Sequence, residues 1–290
     1  MVDLSDSAKI SGFMQFGIST HLYHDQRLSR EHLAEIASYG FGAVEVFATR
    51  SHFDYHDAAA IDRLGQWLKE TGLMLHGIHA PITDRLSPPD QWGEVISNAV
   101  SDGAKRQNAV REAEAALNIA RKIPASVFVV HLGTPKAQGG ENNRTAAFRS
   151  IEEICRLAAP IGVRVAIEVI PNELSDAHSL VTLLEQDLDA PHAGICLDFG
   201  HAFLMGDVPD AVESLAEHLI TTHVHDNNRK KDDHLVPFEG KIDWDAALMS
   251  MQKIGFDGTY LMELRNTGAP ATVLEQARRA RERFEKLLSY

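Results

Sequence analysis

Residues 219–244 carry the densest group of potential metal ligands in the chain. The apolar run at 219–224 predicts a buried strand, and the segment includes His223, His225, Asp226, Asp232, Asp233 and His234. Imidazole and carboxylate groups are the ligands of zinc, manganese, iron and cobalt sites. For this segment alone, a solvated polar loop around a hydrogen-bonded core histidine is as good an interpretation as a metal site.

Similar side chains stand in or just after the other predicted strands. In chain order they are His21, Glu45, His79, His131, Glu168, Asp198 with His201, and Glu263. Taken singly, each has an ordinary structural explanation, such as a helix cap or a backbone hydrogen bond. Together they would bury several unpaired carboxylates at one point, which costs on the order of several kcal/mol. A divalent cation would remove that cost.

The elements that position these residues alternate between short apolar runs and longer helical patterns. The runs that predict strands are 14–19, 43–47, 73–78, 126–130, 163–167, 193–197, 219–224 and 258–262. The helical patterns cover 29–39, 57–71, 91–122, 144–160, 176–187, 207–218, 243–254 and 270–288. Eight strand–helix units with no linker between them predict an α/β fold, a (β/α)8 TIM barrel with residues 1–290 as a single domain.

Local signals support these boundaries. Ser29 and Asp243 are predicted N-caps, and glycines at 40, 72, 162 and 255 fall where helices should end. The long stretch 80–125 should hold an extra loop or short helix, with a break near Gly103. An open doubly wound sheet is the alternative architecture, but it would place a glycine-rich loop after the first strand. The sequence there, 20–24, has no glycine.

Composition limits the class of protein. The net charge of −13 disfavours a nucleic acid as the main partner. No apolar run approaches the length of a membrane span, and the first residues lack a secretory signal pattern. Cys155 and Cys196 are expected to be reduced residues of a helix and a strand, which suits a cytoplasmic protein. Three tryptophans occupy predicted helical positions and are expected to pack there: Trp67, Trp92 and Trp244.

The order of these motifs resembles that of the xylose-isomerase-like TIM barrels. This family includes sugar and sugar-phosphate isomerases and epimerases, and abasic-site nucleases of the endonuclease-four type. The resemblance runs from 17–20 to 262–265. It is most specific in CLDFGH at 196–201, HVHDN at 223–227 and DDHLVPFEGKIDW at 232–244.

The resemblance implies two sets of site residues. In the ketose epimerases one metal is held by four residues, which correspond here to Glu168, Asp198, His223 and Glu263. Substrate contacts of those enzymes correspond to His201 and Arg229, while a further substrate-binding glutamate is replaced by Leu174. The three-zinc pattern of the nucleases is also complete: it corresponds to His79, His131, Glu168, Asp198, His201, His223, Asp232, His234 and Glu263.

The leading hypothesis is therefore a divalent-metal-dependent sugar or sugar-phosphate isomerase or epimerase. Proton transfer through a metal-chelated enediolate would use Glu168 and Glu263, with one to three ions, zinc or manganese. The substrate-binding residues would be His201, Arg229, Glu45 and His21. A small-molecule sugar is the expected partner, and a homo-oligomer is compatible with the sequence.

Two alternatives belong to other classes. A three-zinc abasic-site endonuclease would need basic loops to grip phosphates. The predicted loops at 80–90 and 132–145 carry no such basic excess, and the basic run 229–231 is followed at once by two aspartates. A non-catalytic, metal-stabilised barrel used for binding is the third hypothesis.

Overall fold

Eight parallel strands form a closed barrel in the structure, a computed structural model that describes residues 15–87, 91–266 and 268–289. In chain order the strands are β1 (Gln15–Ser19), β2 (Ala43–Phe47), β3 (Met74–His79), β4 (Leu86–Ser87), β5 (Gln91–Trp92), β6 (Val127–Val130), β7 (Arg164–Glu168), β8 (Ala193–Asp198), β9 (Leu219–Val224) and β10 (Thr259–Met262). β4 and β5 form a separate antiparallel hairpin. The other eight close in the order β1-β10-β9-β8-β7-β6-β3-β2, which confirms the predicted (β/α)8 barrel.

Helices follow the barrel strands and cover them. Their bounds are α1 (Arg30–Ser38), α2 (Ala58–Thr71), α3 (Gly103–Lys122), α4 (Arg144–Ala158), α5 (Ala177–Thr182), α6 (Phe199–Met205), α7 (Val208–Leu215), α8 (Trp244–Lys253) and α9 (Pro270–Leu288). Most predicted boundaries lie within two residues of these, and Met14 of the first predicted strand lies outside the described residues. No helix of the described segments is both long enough and apolar enough to cross a bilayer.

The predicted helix at 91–122 is wrong in its first part. The chain instead forms the β4–β5 hairpin, and α3 begins only at Gly103, after Asp102 accepts hydrogen bonds from the backbone N–H groups of Ala104 and Lys105. Trp92 is consequently not a packing residue of a helix: it is 46% exposed on β5. Trp67 and Trp244, by contrast, pack in helices as predicted, the first partly and the second fully buried.

Two other helix predictions need correction. The predicted helix at 176–187 is the short α5 followed by a wider helical turn at Leu183–Asp187. The helix expected at 207–218 ends at Leu215, and it is preceded by α6, which the sequence pattern does not predict. A helix directly after β8 matters for the site because it carries His201.

The barrel strands are buried on both faces, as in a covered parallel sheet. One large apolar cluster lies between strands and helices, and a smaller one fills the barrel interior around Val129 and Cys196. Cys155 and Cys196 are both unpaired, in α4 and β8. Asp243 caps α8 by accepting from the Ala246 N–H, as predicted.

Candidate metal centre

A cavity of about 340 Å³ opens where the carboxyl ends of the barrel strands meet. This is the end of a TIM barrel at which active sites are built. The strand-end histidines and carboxylates line it together with aromatic residues and one arginine. Lining residues include His21, Phe47, His79, Trp92, His131, Glu168, His201, Asp232, His234, Glu263 and Arg265.

Three groups of ligand-type side chains surround the inner end of this cavity. Within each group the candidate ligand atoms all lie within 4.8 Å of one another. We name them the four-ligand group (Glu168, Asp198, His223, Glu263), the outer group (His79, His131, Glu168) and the loop group (His201, His225, Asp232, His234). Glu168 is shared by the first two.

The four-ligand group is fully buried and comes from four neighbouring strands. Nδ1 of His223 lies 3.3 Å from Oε1 of Glu168 and 3.6 Å from Oε2 of Glu263. Neither this Nδ1 nor this Oε1 has a hydrogen-bond partner, although both are buried. Such orphaned polar atoms are rare in native structures and here face one another. Asp198 completes the group and also caps α6, because its Oδ1 accepts from the His201 backbone N–H at 2.7 Å.

The outer group is arranged around the second oxygen of Glu168. Oε2 of that residue lies 3.3 Å from Nε2 of His79 and 3.1 Å from Nε2 of His131. Nδ1 of His79 faces the Ala80 carbonyl at 2.8 Å. The carboxylate of Glu168 thus stands between two sets of imidazoles.

The loop group is arranged around Asp232. Oδ2 of this carboxylate lies 3.1 Å from Nε2 of His201 and 2.9 Å from Nε2 of His234. His225 stacks on His234 at 4.1 Å between ring centroids, and its Nε2 lies 2.9 Å from Oδ1 of Asp198. Gly200 makes this possible, because a Cβ there would lie 2.0 Å from the His225 ring.

Four of these histidines have an acceptor oxygen at both ring nitrogens. Nδ1 of His201 faces the Val169 carbonyl at 3.0 Å, and Nδ1 of His234 faces the Glu263 carbonyl at 3.0 Å. His79 and His223 also have an oxygen within 3.3 Å of each ring nitrogen, although Nδ1 of His223 makes no hydrogen bond. A neutral imidazole has one N–H and can satisfy only one acceptor. Each ring therefore requires either a second proton or a cation beside the carboxylate. In His201 and His234 the backbone carbonyl accepts the proton on Nδ1, so Nε2 is the atom that can bind a cation. The donor set fits a divalent metal.

The pKa shifts of these groups have the same cause, the close packing of imidazoles and carboxylates. Burial alone would lower the pKa of His201, but the carboxylates of Asp198 and Asp232 outweigh burial and hold it well above its ordinary value. Burial is likewise outweighed at His234, where Asp232 raises the pKa to about 10. Burial would raise the pKa of Glu168, yet the surrounding imidazoles hold it well below the usual range. A metal ion would compete with protons for these nitrogens.

The loop at 226–244 is held by Asp226. Its Oδ1 accepts from the N–H groups of Asn227 (2.8 Å) and Ile242 (3.1 Å), and its Oδ2 from the N–H of Phe238 (3.0 Å) and the indole N–H of Trp244 (2.8 Å). Asp226 is therefore a structural anchor and none of the three groups contains it. Asp233, which pairs with Lys231, is outside them too.

Two predicted substrate contacts lie away from the cavity. Arg229 adopts a left-handed backbone conformation (φ 62°), and its guanidinium contacts the Gly206 carbonyl and stacks over Phe203. Glu45 is 1% exposed and faces His223. His21 and His201 do line the cavity, and the pKa of His21 is well below its usual value because of burial and the neighbouring His234 and His24.

Three residues at the site have no individual role in the sequence-based prediction. His225 is there one member of a ligand-rich segment, Trp92 is a predicted helix residue, and Arg265 is not among the predicted site residues. The signal for Arg265 was its position two residues after a strand-end carboxylate. Nothing in the local sequence indicated that the hairpin would bring Trp92 to the cavity.

Comparison with known proteins identifies the family. The family model described as the xylose isomerase-like TIM barrel matches residues 33–287. The chain belongs to this family. The resemblance drawn from the strand-end motifs is thereby confirmed.

Relatives of this chain include isomerases and epimerases. It is 28% identical over 266 residues to the uncharacterized protein MJ1311 of Methanocaldococcus jannaschii, covering 87% of this chain and 84% of that protein. It is 22% identical over 232 residues to inosose isomerase of Bacillus licheniformis, covering 75% and 81% respectively. A solved D-tagatose 3-epimerase-like protein superposes with a TM-score of 0.77 at 24% identity, covering 95% of this chain and 98% of that one.

Proposed function

We propose that this protein is a divalent-metal-dependent isomerase or epimerase of a sugar or sugar phosphate. The observation that carries the proposal is a pair of cavity-lining carboxylates, Glu168 and Glu263, within one four-ligand group. The named relatives, an inosose isomerase and a D-tagatose 3-epimerase-like protein, support the same reaction class.

Glu168, Asp198, His223 and Glu263 would hold the principal ion. Mixed imidazole and carboxylate ligands suit Zn²⁺ or Mn²⁺. The outer group and the loop group offer positions for one or two further ions. A bound divalent ion supplies Lewis-acid polarisation of a carbonyl oxygen.

The protein's own contribution is to move a proton at the carbon beside that carbonyl. Among the described residues, none donates a hydrogen bond to the Glu263 carboxylate, which lines the cavity. Glu168 is different, because its oxygens contact the imidazoles of His79, His131 and His223. We therefore assign Glu263 as the group that removes the proton and Glu168 as the group that returns it.

The rest of the cavity would orient the sugar. His21 presents a neutral imidazole, and Phe47 and Trp92 present apolar surface to the ring carbons. Arg265 is the one lysine or arginine among the described lining residues, so we propose it, beside the expected Arg229, as a cationic substrate contact. A guanidinium there would bind a phosphate or another anionic group of the substrate.

A phosphodiesterase acting at abasic DNA is the second candidate, because the nine ligands expected for that class all fall within the three groups. The charge of the cavity argues against this candidate, because three acidic residues, Glu168, Asp232 and Glu263, line it together with one arginine, Arg265. A duplex backbone would need several basic contacts there.

The test combines metal analysis with an exchange assay. Purified protein, loaded with Zn²⁺ or Mn²⁺, is incubated in D₂O with a panel of ketoses, aldoses and their phosphates, and separately with an abasic duplex. The proposal expects deuterium at the carbon beside the carbonyl, abolished by chelation and restored by metal. Metal-dependent nicking of the duplex without exchange into any sugar would favour the nuclease, and neither activity with metal bound would favour a binding protein.

A further inference from the structure

The carboxylate of Glu45 lies beside the Nε2 atom of His223, and Glu45 is not among the cavity-lining residues. Oε2 of Glu45 is 3.2 Å from Nε2 of His223, and both side chains are fully buried. We propose that Glu45 is a positioning residue that fixes the ring of His223 with Nδ1 presented to a metal. This inference rests on the proposed metal dependence, but not on any particular substrate.

The geometry assigns the tautomer of His223. A carboxylate accepts hydrogen bonds and does not donate them when ionised, so Nε2 must carry the proton that bonds Glu45. The other nitrogen, Nδ1, faces Oε1 of Glu168 at 3.3 Å and Oε2 of Glu263 at 3.6 Å. Beside two carboxylates it must carry either a second proton or a cation, and a metal bound there would take the Nδ1 lone pair while Nε2 keeps its proton.

Two features of the neighbouring strand β3 accommodate the Glu45 carboxylate. Pairing of β2 with β3 shifts register between Val44 and Glu45, which face Leu75 and Gly77, so that one extra β3 residue forms a bulge. The bulge therefore lies in the strand beside Glu45, and bulges are common next to active sites. The missing side chain at Gly77 leaves room as well, since a Cβ there would lie 3.1 Å from Oε2 of Glu45.

A second contact holds the other oxygen. The Ser19 hydroxyl at the end of β1 donates to Oε1 of Glu45 at 3.3 Å. The chain Ser19–Glu45–His223 thus runs from β1 through β2 to β9 inside the barrel. Glu45 does not line the cavity, so it would act on the metal only through the imidazole.

The experiment measures Zn²⁺ affinity by competition with a chromogenic chelator in wild type, Glu45→Gln and Glu45→Ala. Partners that orient a ligating histidine typically contribute about 10- to 100-fold in metal affinity. We expect the smaller loss for Gln, which keeps an acceptor oxygen, and the larger for Ala. Glu112→Gln is the matched control, because Glu112 also bonds an imidazole, Nε2 of His56 at 2.9 Å, but belongs to none of the three groups.

The Nε2–H signal of His223 distinguishes a hydrogen bond to Glu45 from a role in packing alone. Long-range ¹H–¹⁵N spectra of the zinc-loaded protein should show a protonated Nε2 in wild type and in Glu112→Gln. In the Glu45 variants that ring N–H signal should shift or disappear. Ser19→Ala provides a milder variant if Glu45→Ala does not fold, with an expected loss of a few-fold in affinity.

Unchanged affinity and unchanged His223 signals in folded Glu45→Gln and Ser19→Ala would overturn the inference. An equal loss in Glu112→Gln would overturn it too. Wild type that binds no divalent ion would refute both this inference and the proposed metal dependence. Wild type that binds zinc but exchanges no sugar proton would refute only the proposed reaction.

Discussion

Asp226 offers the sharpest test of how the site loop is held. The substitution Asp226→Asn preserves size but replaces one oxygen by an NH₂ group. Each carboxylate oxygen accepts two N–H groups, so either orientation of the amide removes two hydrogen bonds and sets donor against donor. The residue is 0% exposed, so water cannot compensate without the loop opening.

The magnitude follows from those two bonds. Hydrogen bonds to a charged group contribute about 1.5–3 kcal/mol each, so the variant should lose about 3–6 kcal/mol. Because the loop also carries Asp232 and His234, the loss should appear first as local opening of residues 226–244. We expect fast amide exchange there and loss of any ion held by the loop group, while the four-ligand group still binds metal.

Urea unfolding, amide hydrogen exchange and metal stoichiometry measure the three effects. Asp243→Asn is the matched control, since it makes the same chemical change in the same loop at an exposed N-cap. Asn caps a helix as well as Asp does, so its effect should stay within about 0.5 kcal/mol. A loss below about 1 kcal/mol in Asp226→Asn would refute the reasoning.

Three further predictions concern turnover, specificity and pH. Glu263→Gln should reduce proton exchange at least about 10²-fold with the protein fully metal-loaded, and full exchange by that variant would exclude Glu263 as the base. Arg265→Ala should raise KM about 10-fold for a phosphorylated substrate and less for its unphosphorylated form; an equal change for both would argue against anion binding. Burial lowers the pKa of His52 to about 4, so this residue is neutral in the folded protein and protonates on unfolding below pH 6.5. Stability should therefore fall by about 3 kcal/mol as pH drops from 6.5 to 4, and His52→Asn, whose amide nitrogen corresponds to Nδ1 and can still donate to the Gln26 carbonyl, should remove that part of the decline in urea titrations.

The fold could be read from the sequence because its signals are local and repeated. Each barrel strand is an apolar run between helical patterns, and caps such as Asp243 mark the boundaries. The clearest error, the helix expected from residue 91, arose where a short hairpin outside the barrel has no periodicity of its own. There the polar and aromatic residues around Trp92 are as compatible with a helix as with a hairpin.

The types of the site residues also follow from the sequence. Histidines and carboxylates at strand ends must converge in a parallel barrel, since all carboxyl ends lie on one side. That rule places Glu168, Asp198 and Glu263 together without any knowledge of loops. It also collects His79 and His131 around the same point.

Only the tertiary structure determines where each of these side chains points and which groups it contacts. Arg229 has a suitable position in the chain, but a left-handed backbone turns its guanidinium onto Phe203. Asp226 looks like a ligand in sequence, yet four N–H donors surround its carboxylate. Glu45 looks like a substrate contact, yet its buried carboxylate faces His223 across the barrel interior. Residue type and strand position determine which groups reach the end of the barrel, whereas the role of each depends on which donors and acceptors lie within about 3 Å, and those come from segments far apart in the chain.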